Sequence, residues 1–317
     1  MTRYDALLLV SFGGPEKRDD VIPFLENVLR GRNVPHERLL AVAEHYYHFD
    51  GRSPINEQCR ALIAALDSQG VELPIYWGNR NWHPMLRDTL GQMRADGVRR
   101  ALAIATSAFG SYSGCRQYRE DIESARASVE GAPSIDKLPP FWNNAGFLAA
   151  TVERVRDALT SLPDAEIVYT AHSIPVSMAQ SSPYEQQLRE AARHVNTELG
   201  LGEPVLVFQS RSGPPSQPWL GPDIGEYIQS TAAKRLIAVP IGFISDHMEV
   251  IYDLDYEAAK LAESRGIEFA RAGTVGTHPL FVAGLIELVR EAQANGIIAC
   301  SPDCCPPPAT RGPIQAR

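Results

Sequence analysis

Short apolar runs alternate with amphipathic stretches along almost the whole chain, and this alternation restricts the fold more than any other feature. YDALLLVSF, LPIYWGN, RRALAIATS, AEIVYTAHS, PVLVFQS, RLIAVPIGF and IEFARAG read as strands. Between and after them, NEQCRALIAAL, HPMLRDTLGQM, SPYEQQLREAARHV and HPLFVAGLIELV carry apolar residues at helical spacing. Such an order predicts an α/β fold of parallel sheets covered by helices on both faces, with ligands at the carboxyl ends of the strands. A chain of 317 residues holds about two domains of roughly 150 residues each. The division falls near LPPFWNNAG, giving units 1–140 and 141–295, and the Cys- and Pro-rich tail 296–317 is expected to lack regular structure. One echo bears on this division. LPIYWGNRNWHPMLRDTLGQM and IEFARAGTVGTHPLFVAGLIELV both run strand, loop, His-Pro and helix, with the Pro expected in the first helical turn at His83 and His278. A duplicated domain and a shared helix-start signal both explain it.

A net charge of −8 argues against a nucleic-acid surface, which needs clustered Lys and Arg. No apolar run reaches the ~18 residues of a membrane span, and MTRYDALLLVSFGGPE lacks the build of a signal peptide. A cytoplasmic location is therefore expected, where the five Cys would stay reduced and clustered thiols would more often hold a metal.

Two places carry chemistry. VYTAHSIP sets His172 at the carboxyl end of a strand, facing a ligand cleft, where a neutral imidazole can act as general base or metal contact; satisfying a loop backbone group is its plainer role. SDHMEVIYDLDYE opens a helix on which Glu249, Asp253 and Glu257 fall at i, i+4 and i+8, drifting only about 80° in total. Val250, Ile251, Leu254, Ala258 and Leu261 form the opposite, apolar face, so the acids face either a cleft or bulk water. Like charges at i,i+4 repel by roughly 0.2–0.5 kcal/mol per pair, and no Lys or Arg lies between Arg235 and Lys260 to offset them. A partly hydrated divalent cation handed along the row would.

SFGGPE, GRSPINEQ, SAFGSYSGCRQY, TAHSIP, FQSRSG with PWLGP, and GFISDHMEVIYDLD occur in that order, and together they resemble the ferrochelatases up to about residue 295. The resemblance implies two Rossmann-like, chelatase-type domains with a porphyrin cleft between them. It implies insertion of Fe2+ into a porphyrin during haem synthesis, with two protons released. It also implies His172 and Glu249 as the catalytic pair, His172 accepting protons and Glu249 on the metal or proton path, with Asp253 and Glu257 as outer stations for Fe2+. Ser53 and Tyr118 become the first donors to propionates or the ring edge, and Tyr112, Arg52 and His45 further candidates. Gly13 and Gly14 would let backbone approach the ring closely, or would simply make a strand-to-helix turn. Where some relatives place an axial Tyr after the Gly-x-Pro turn, this chain has Glu16, so that role does not transfer.

Cys59 lies on an apolar helical face with Leu62, Ile63 and Leu66 and reads as core. Cys115 with Cys300, Cys304 and Cys305 supplies the four thiolates that a [2Fe–2S] cluster needs, and the branch of the family that carries such a cluster has this plan of one internal and three C-terminal Cys. RGRNVPHERLLAVAEHYYHFDGR lacks the apolar lip of membrane-associated relatives, which points to coproporphyrin III with its four propionates; protoporphyrin IX is the alternative. Chelation of cobalt into a sirohydrochlorin-type ring and a porphyrin or haem carrier without turnover are the other readings. A monomer without integral membrane association is expected.

Overall fold

The computed structural model describes residues 4–31, 34–213 and 216–307. The end of the Cys- and Pro-rich tail, 308–317, lies outside the described residues. Two four-stranded sheets form the frame. The first takes β1 (Ala6–Ser11), β2 (Ile75–Asn79), β3 (Arg100–Ala105) and β4 (Ser134–Lys137) in the order β2-β1-β3-β4. The second takes β5 (Glu166–His172), β6 (Val205–Gln209), β7 (Arg235–Val239) and β8 (Glu268–Arg271) in the order β6-β5-β7-β8. Every pairing is parallel.

The side-chain period of two explains how β1 holds its place. Leu7 and Leu9 enter one core while Ala6, Leu8 and Val10 enter another, so the strand is buried on both faces, as parallel strands usually are. Strand β5 does the same, with Tyr169 and Ala171 on one face and Val168 on the other. Around the first sheet lie α1 (Val21–Val28), α2 (His36–Tyr47), α3 (Ile55–Ser68), α4 (Leu86–Ala95) and α5 (Gln117–Ala127). The second carries α6 (Ala145–Ser161), α7 (Val176–Gln180), α8 (Tyr184–Leu199), α9 (Ile224–Ser230), α10 (Met248–Val250), α11 (Ala259–Ser264) and α12 (Pro279–Asn295). One core joins the facing sides of both sheets: Leu9 and Ile104 of the first and Tyr169 and Ile237 of the second share it with Phe147 and Phe281. Helices α6 and α12 cross inside that core where Gly146 meets Gly284. A methyl added at Gly146 would come within 2.8 Å of the Gly284 Cα.

Both sheets have the order second, first, third, fourth, so the two halves share one strand topology. The His-Pro echo does not mark it. His83 follows the second strand of its sheet, whereas His278 follows the fourth. The two Pro also differ: Pro279 opens α12, but the His83–Pro84 peptide is cis and α4 begins only at Leu86. Strand β4, SIDK, was not expected; four residues with a polar pattern at a sheet edge give no apolar alternation to read.

Candidate functional site

His172 is the last residue of β5 and its side chain is 30% exposed. Its Nδ1 lies 2.5 Å from the Ser173 carbonyl oxygen. A carbonyl only accepts, so Nδ1 carries the hydrogen and the neutral ring keeps its lone pair on Nε2. That Nε2 faces Glu249 Oε1 at 3.7 Å. Tyr184 braces the same turn by donating its hydroxyl to the His172 carbonyl at 3.0 Å.

Glu249 belongs to α10, and the eight residues Ile251–Ala258 that follow are wound as a π-helix before α11 resumes the α form. The sequence periodicity predicted an α-helix here. In an α-helix the i,i+4 step overshoots a full turn by about 40°. A π-turn holds more residues, because its bonds reach five residues on, so the same step falls back and the overshoot is offset. Asp253 and Glu257 line one cavity, while Val250, Leu254 and Ala258 remain buried as the sequence predicts.

The three acids differ in how readily they ionise. Burial alone would raise Glu249, but the charge of a protonated His172 3.7 Å away, with that of His247, brings it down to about 2. For His172, burial favours the neutral ring, yet the Glu249 carboxylate leaves its pKa above the ordinary value. Asp253 is pushed up to about 7, chiefly by burial, against the Ser210 hydroxyl that donates to it, with Glu249 and Glu257 adding repulsion. Burial raises Glu257 as well, and Asp223 across the cavity adds to it. Protonation of Asp253 therefore relieves part of the repulsion that a cation along the row would offset.

Asp253 and Glu257 line a cavity of about 370 Å³ with His45, Gln209, Ser210 and Asp223. Gln209 donates to the Glu249 carbonyl at 3.1 Å, while its buried Oε1 has no hydrogen-bond partner among the described residues. Ser210 holds a left-handed backbone, φ 59°, at the turn that aims its hydroxyl at Asp253. The roof comes from the other half of the molecule: His45 stacks on Tyr252 at 4.0 Å between centroids, and His48 tilts over Tyr256 at 4.2 Å. Gln209, Ser210, Tyr252, Tyr256 and His48 were missed as site residues. Only FQSRSG, already one of the motifs, could have pointed to the first two.

The remaining candidates are scattered. Ser53 is buried, with its backbone N–H donating to the Pro15 carbonyl at 2.8 Å. Gly14 must be glycine because a Cβ there would stand 2.8 Å from the Ser53 Cβ, and Gly13 needs its positive φ of 83°. Both demands belong to this local turn. Tyr118 is buried in the first sheet's outer core under the Arg80 guanidinium, 4.5 Å from its ring. Tyr112 opens a π-turn, Tyr112–Arg116, and donates to Glu120 at 3.0 Å. Arg52 is exposed and pairs with Glu57 at 2.9 Å. Glu16 is held by the Arg60 guanidinium and by the Asn56 amide at 3.1 Å.

Cys59 packs in the core as expected, burial pushing its thiol up to about 11. Cys115 is buried in the π-turn, and the tail returns to it. Arg116 donates to the Cys304 carbonyl at 3.4 Å and Arg119 to the Pro302 carbonyl at 3.2 Å. Burial and then the charges of Cys115 and Cys304 raise Cys300, and burial with the other three thiols pushes Cys305 up to about 12. All four thiols thus lie within electrostatic reach of one another. Among the described residues, no group of three or more His, Cys, Asp or Glu side chains is already arranged to hold a metal ion.

Paired parallel sheets of like order, with a His and a carboxylate meeting at their carboxyl ends, define a metal chelatase of the two-lobed α/β kind. The fold is shared with the sirohydrochlorin chelatase SirB of Bacillus subtilis subspecies spizizenii in complex with cobalt, at TM-score 0.58 and 12% identity over 92% of this chain and 97% of that one. It is shared too with CbiX, described as the terminal enzyme for biosynthesis of siroheme in denitrifying bacteria, at TM-score 0.57 and 15% identity over 90% and 99%. The ferrochelatase family model matches residues 4–293, and the chain belongs to the ferrochelatase family. Among similar relatives, the ferrochelatase of Rhodopirellula baltica is 53% identical over 99% of this chain and 98% of that protein. The coproporphyrin III ferrochelatase of Frankia alni is 49% identical over 96% and 87%, and that of Nocardia farcinica 50% identical over 90% and 88%. No helix among the described residues is long and apolar enough to cross a membrane.

Proposed function

We propose that this ferrochelatase inserts Fe2+ into coproporphyrin III, in the cytoplasm and as a monomer, with His172 and Glu249 as its catalytic pair. The observation that carries the pair is the His172 Nε2 lone pair, fixed by the Ser173 carbonyl and standing 3.7 Å from Glu249. Metallation removes two pyrrole protons. Nε2 accepts them one at a time, the imidazolium is stabilised by the ionised Glu249, and each proton leaves along the row. Fe2+ reaches the ring past Glu257, Asp253 and Glu249, shedding water to carboxylate oxygens. Ser53 and Tyr118 are the first contacts proposed for the propionates or the ring edge, with Tyr112, Arg52 and His45 as further candidates. Coproporphyrin III rests on the names of the Frankia and Nocardia relatives and on a sequence at 30–52 without an extended apolar insertion.

Metallation rates on coproporphyrin III and protoporphyrin IX, for the wild type and His172→Ala, test the reading. Faster turnover of coproporphyrin is expected, with loss of about 10²- to 10⁴-fold in the variant while porphyrin binding survives. Retained metallation in His172→Ala would remove it from catalysis, and binding without turnover in the wild type would make the protein a carrier.

The four thiols fit a [2Fe–2S] cluster by donor chemistry: one buried Cys in the π-turn and three on a tail docked beside it. Cys115, Cys300, Cys304 and Cys305 would hold it, and when bound it supplies a staple from tail to turn. Acid-labile sulfide and red-brown absorption in aerobically purified protein are expected; a colourless, sulfide-free preparation would overturn the cluster.

A further inference from the structure

Asp246 stands three residues before Glu249 and is gripped from both halves of the molecule. Its carboxylate is held from the second half: Arg271 Nη1 pairs with Oδ1 at 2.6 Å, and the Thr274 N–H donates to the same oxygen at 3.3 Å. The same guanidinium takes both oxygens of Asp255 on the π-helix, at 2.6 and 3.0 Å. Arg271 therefore fixes the start of the acid helix against its own outer face, and its side chain is only 15% exposed.

The backbone of Asp246 is held from the first half. Its N–H donates to Gln58 Oε1 at 2.8 Å and its carbonyl accepts from Gln58 Nε2 at 2.9 Å. One primary amide satisfies both polar groups of one residue, as a neighbouring strand would, across 188 residues of sequence. Gln58 sits in the first turns of α3, on the same rigid helix as the core residues Leu62 and Leu66 and directly after Ser53-Pro54. Thus the clamp lies five positions after the proposed propionate donor on one side and three positions before Glu249 on the other.

We propose that Gln58 is a positioning residue for metallation. By clamping the Asp246 backbone it registers the porphyrin-holding half of the cleft against the acid helix and keeps Glu249 at its distance from His172. The proposal rests on the His172–Glu249 reading above. Misplacing a reacting group by about 1 Å costs up to about 10²-fold in rate, so a looser start to the helix should appear in turnover more than in binding.

Gln58→Met keeps the length and apolar stem of the side chain and removes both hydrogen bonds. Amide exchange of Asp246 is expected to rise at least about tenfold, because Gln58 is the acceptor of that N–H. In the same protein kcat for metallation of coproporphyrin should fall about tenfold while KM for the porphyrin stays within about twofold and Tm within about 2 °C. Gln58→Ala should behave alike if the bonds, and not the stem, matter. Unchanged exchange, unchanged kcat, or a loss of kcat that merely follows a fall in Tm would each overturn the proposal. A wild type without turnover would instead sink the ferrochelatase reading, and the exchange arm would still decide whether the clamp exists.

Discussion

His172 Nε2 and Glu249 Oε1 face each other at 3.7 Å, and each changes the other's protonation: the carboxylate lifts the imidazole above its ordinary value, and the imidazole brings the carboxylate down to about 2. Neutral His172 accepts protons, so activity rises with pH through its pKa. Glu249→Gln removes the charge that raises that pKa. The rising limb of the pH profile should therefore move to lower pH, with maximal turnover down about 10²-fold, and an NMR titration of the imidazole should move the same way. A limb that stays in place would separate the two residues.

Glu16 follows the Gly13-Gly14-Pro15 turn and is tied to Arg60 and Asn56. Both partners of the ion pair are about half exposed, so the pair contributes at most about 1 kcal/mol. Glu16→Gln is expected to leave metallation within about twofold of wild type and to lower stability by less than about 1 kcal/mol in urea unfolding. A loss of turnover well beyond that would give Glu16 a place at the iron.

Among the described residues, seven of the eight strands could be read from the sequence because each lies in a largely apolar run, while SIDK, short, polar and at an edge, could not. His172 and the acid row were legible from local patterns, a strand end and an i,i+4 repeat. The π-winding of that row was not, since Val250, Leu254 and Ala258 keep helical spacing in either form. Gln58 and Asp246 were also invisible: two polar residues 188 positions apart leave no periodic trace, and only the packing of α3 against the second sheet's loops brings them together.

The crossing of α6 and α12 depends on Gly146, whose Cα side touches the backbone of α12 at Gly284. Gly146→Ala forces a methyl into that contact and should cost about 1–3 kcal/mol of stability despite the better helix propensity of Ala. Chemical denaturation measures the loss. Turnover per folded molecule should be unaltered, because no site residue lies at the crossing.

Asp253, pushed up to about 7, makes the row sensitive to pH in two measurable ways. A cation binds the ionised carboxylate, so below pH of about 7 its uptake expels a proton, and apparent affinity for Co2+ or Fe2+ should climb by up to about tenfold per pH unit before levelling above that point. Calorimetry in buffers of different ionisation enthalpy counts that proton directly. Stability runs the other way. The folded pKa lies above the ordinary 3.8, so the protonated group favours the fold fully below about pH 4, and this contribution is lost as pH rises through about 7. Asp253→Asn mimics the protonated form. It should raise Tm at pH 8, leave it unchanged at pH 4, and weaken cation uptake while removing most of its pH dependence. Equal Tm differences at the two pH values would mean that Asp253 is ionised throughout and that the row carries its full charge without a cation.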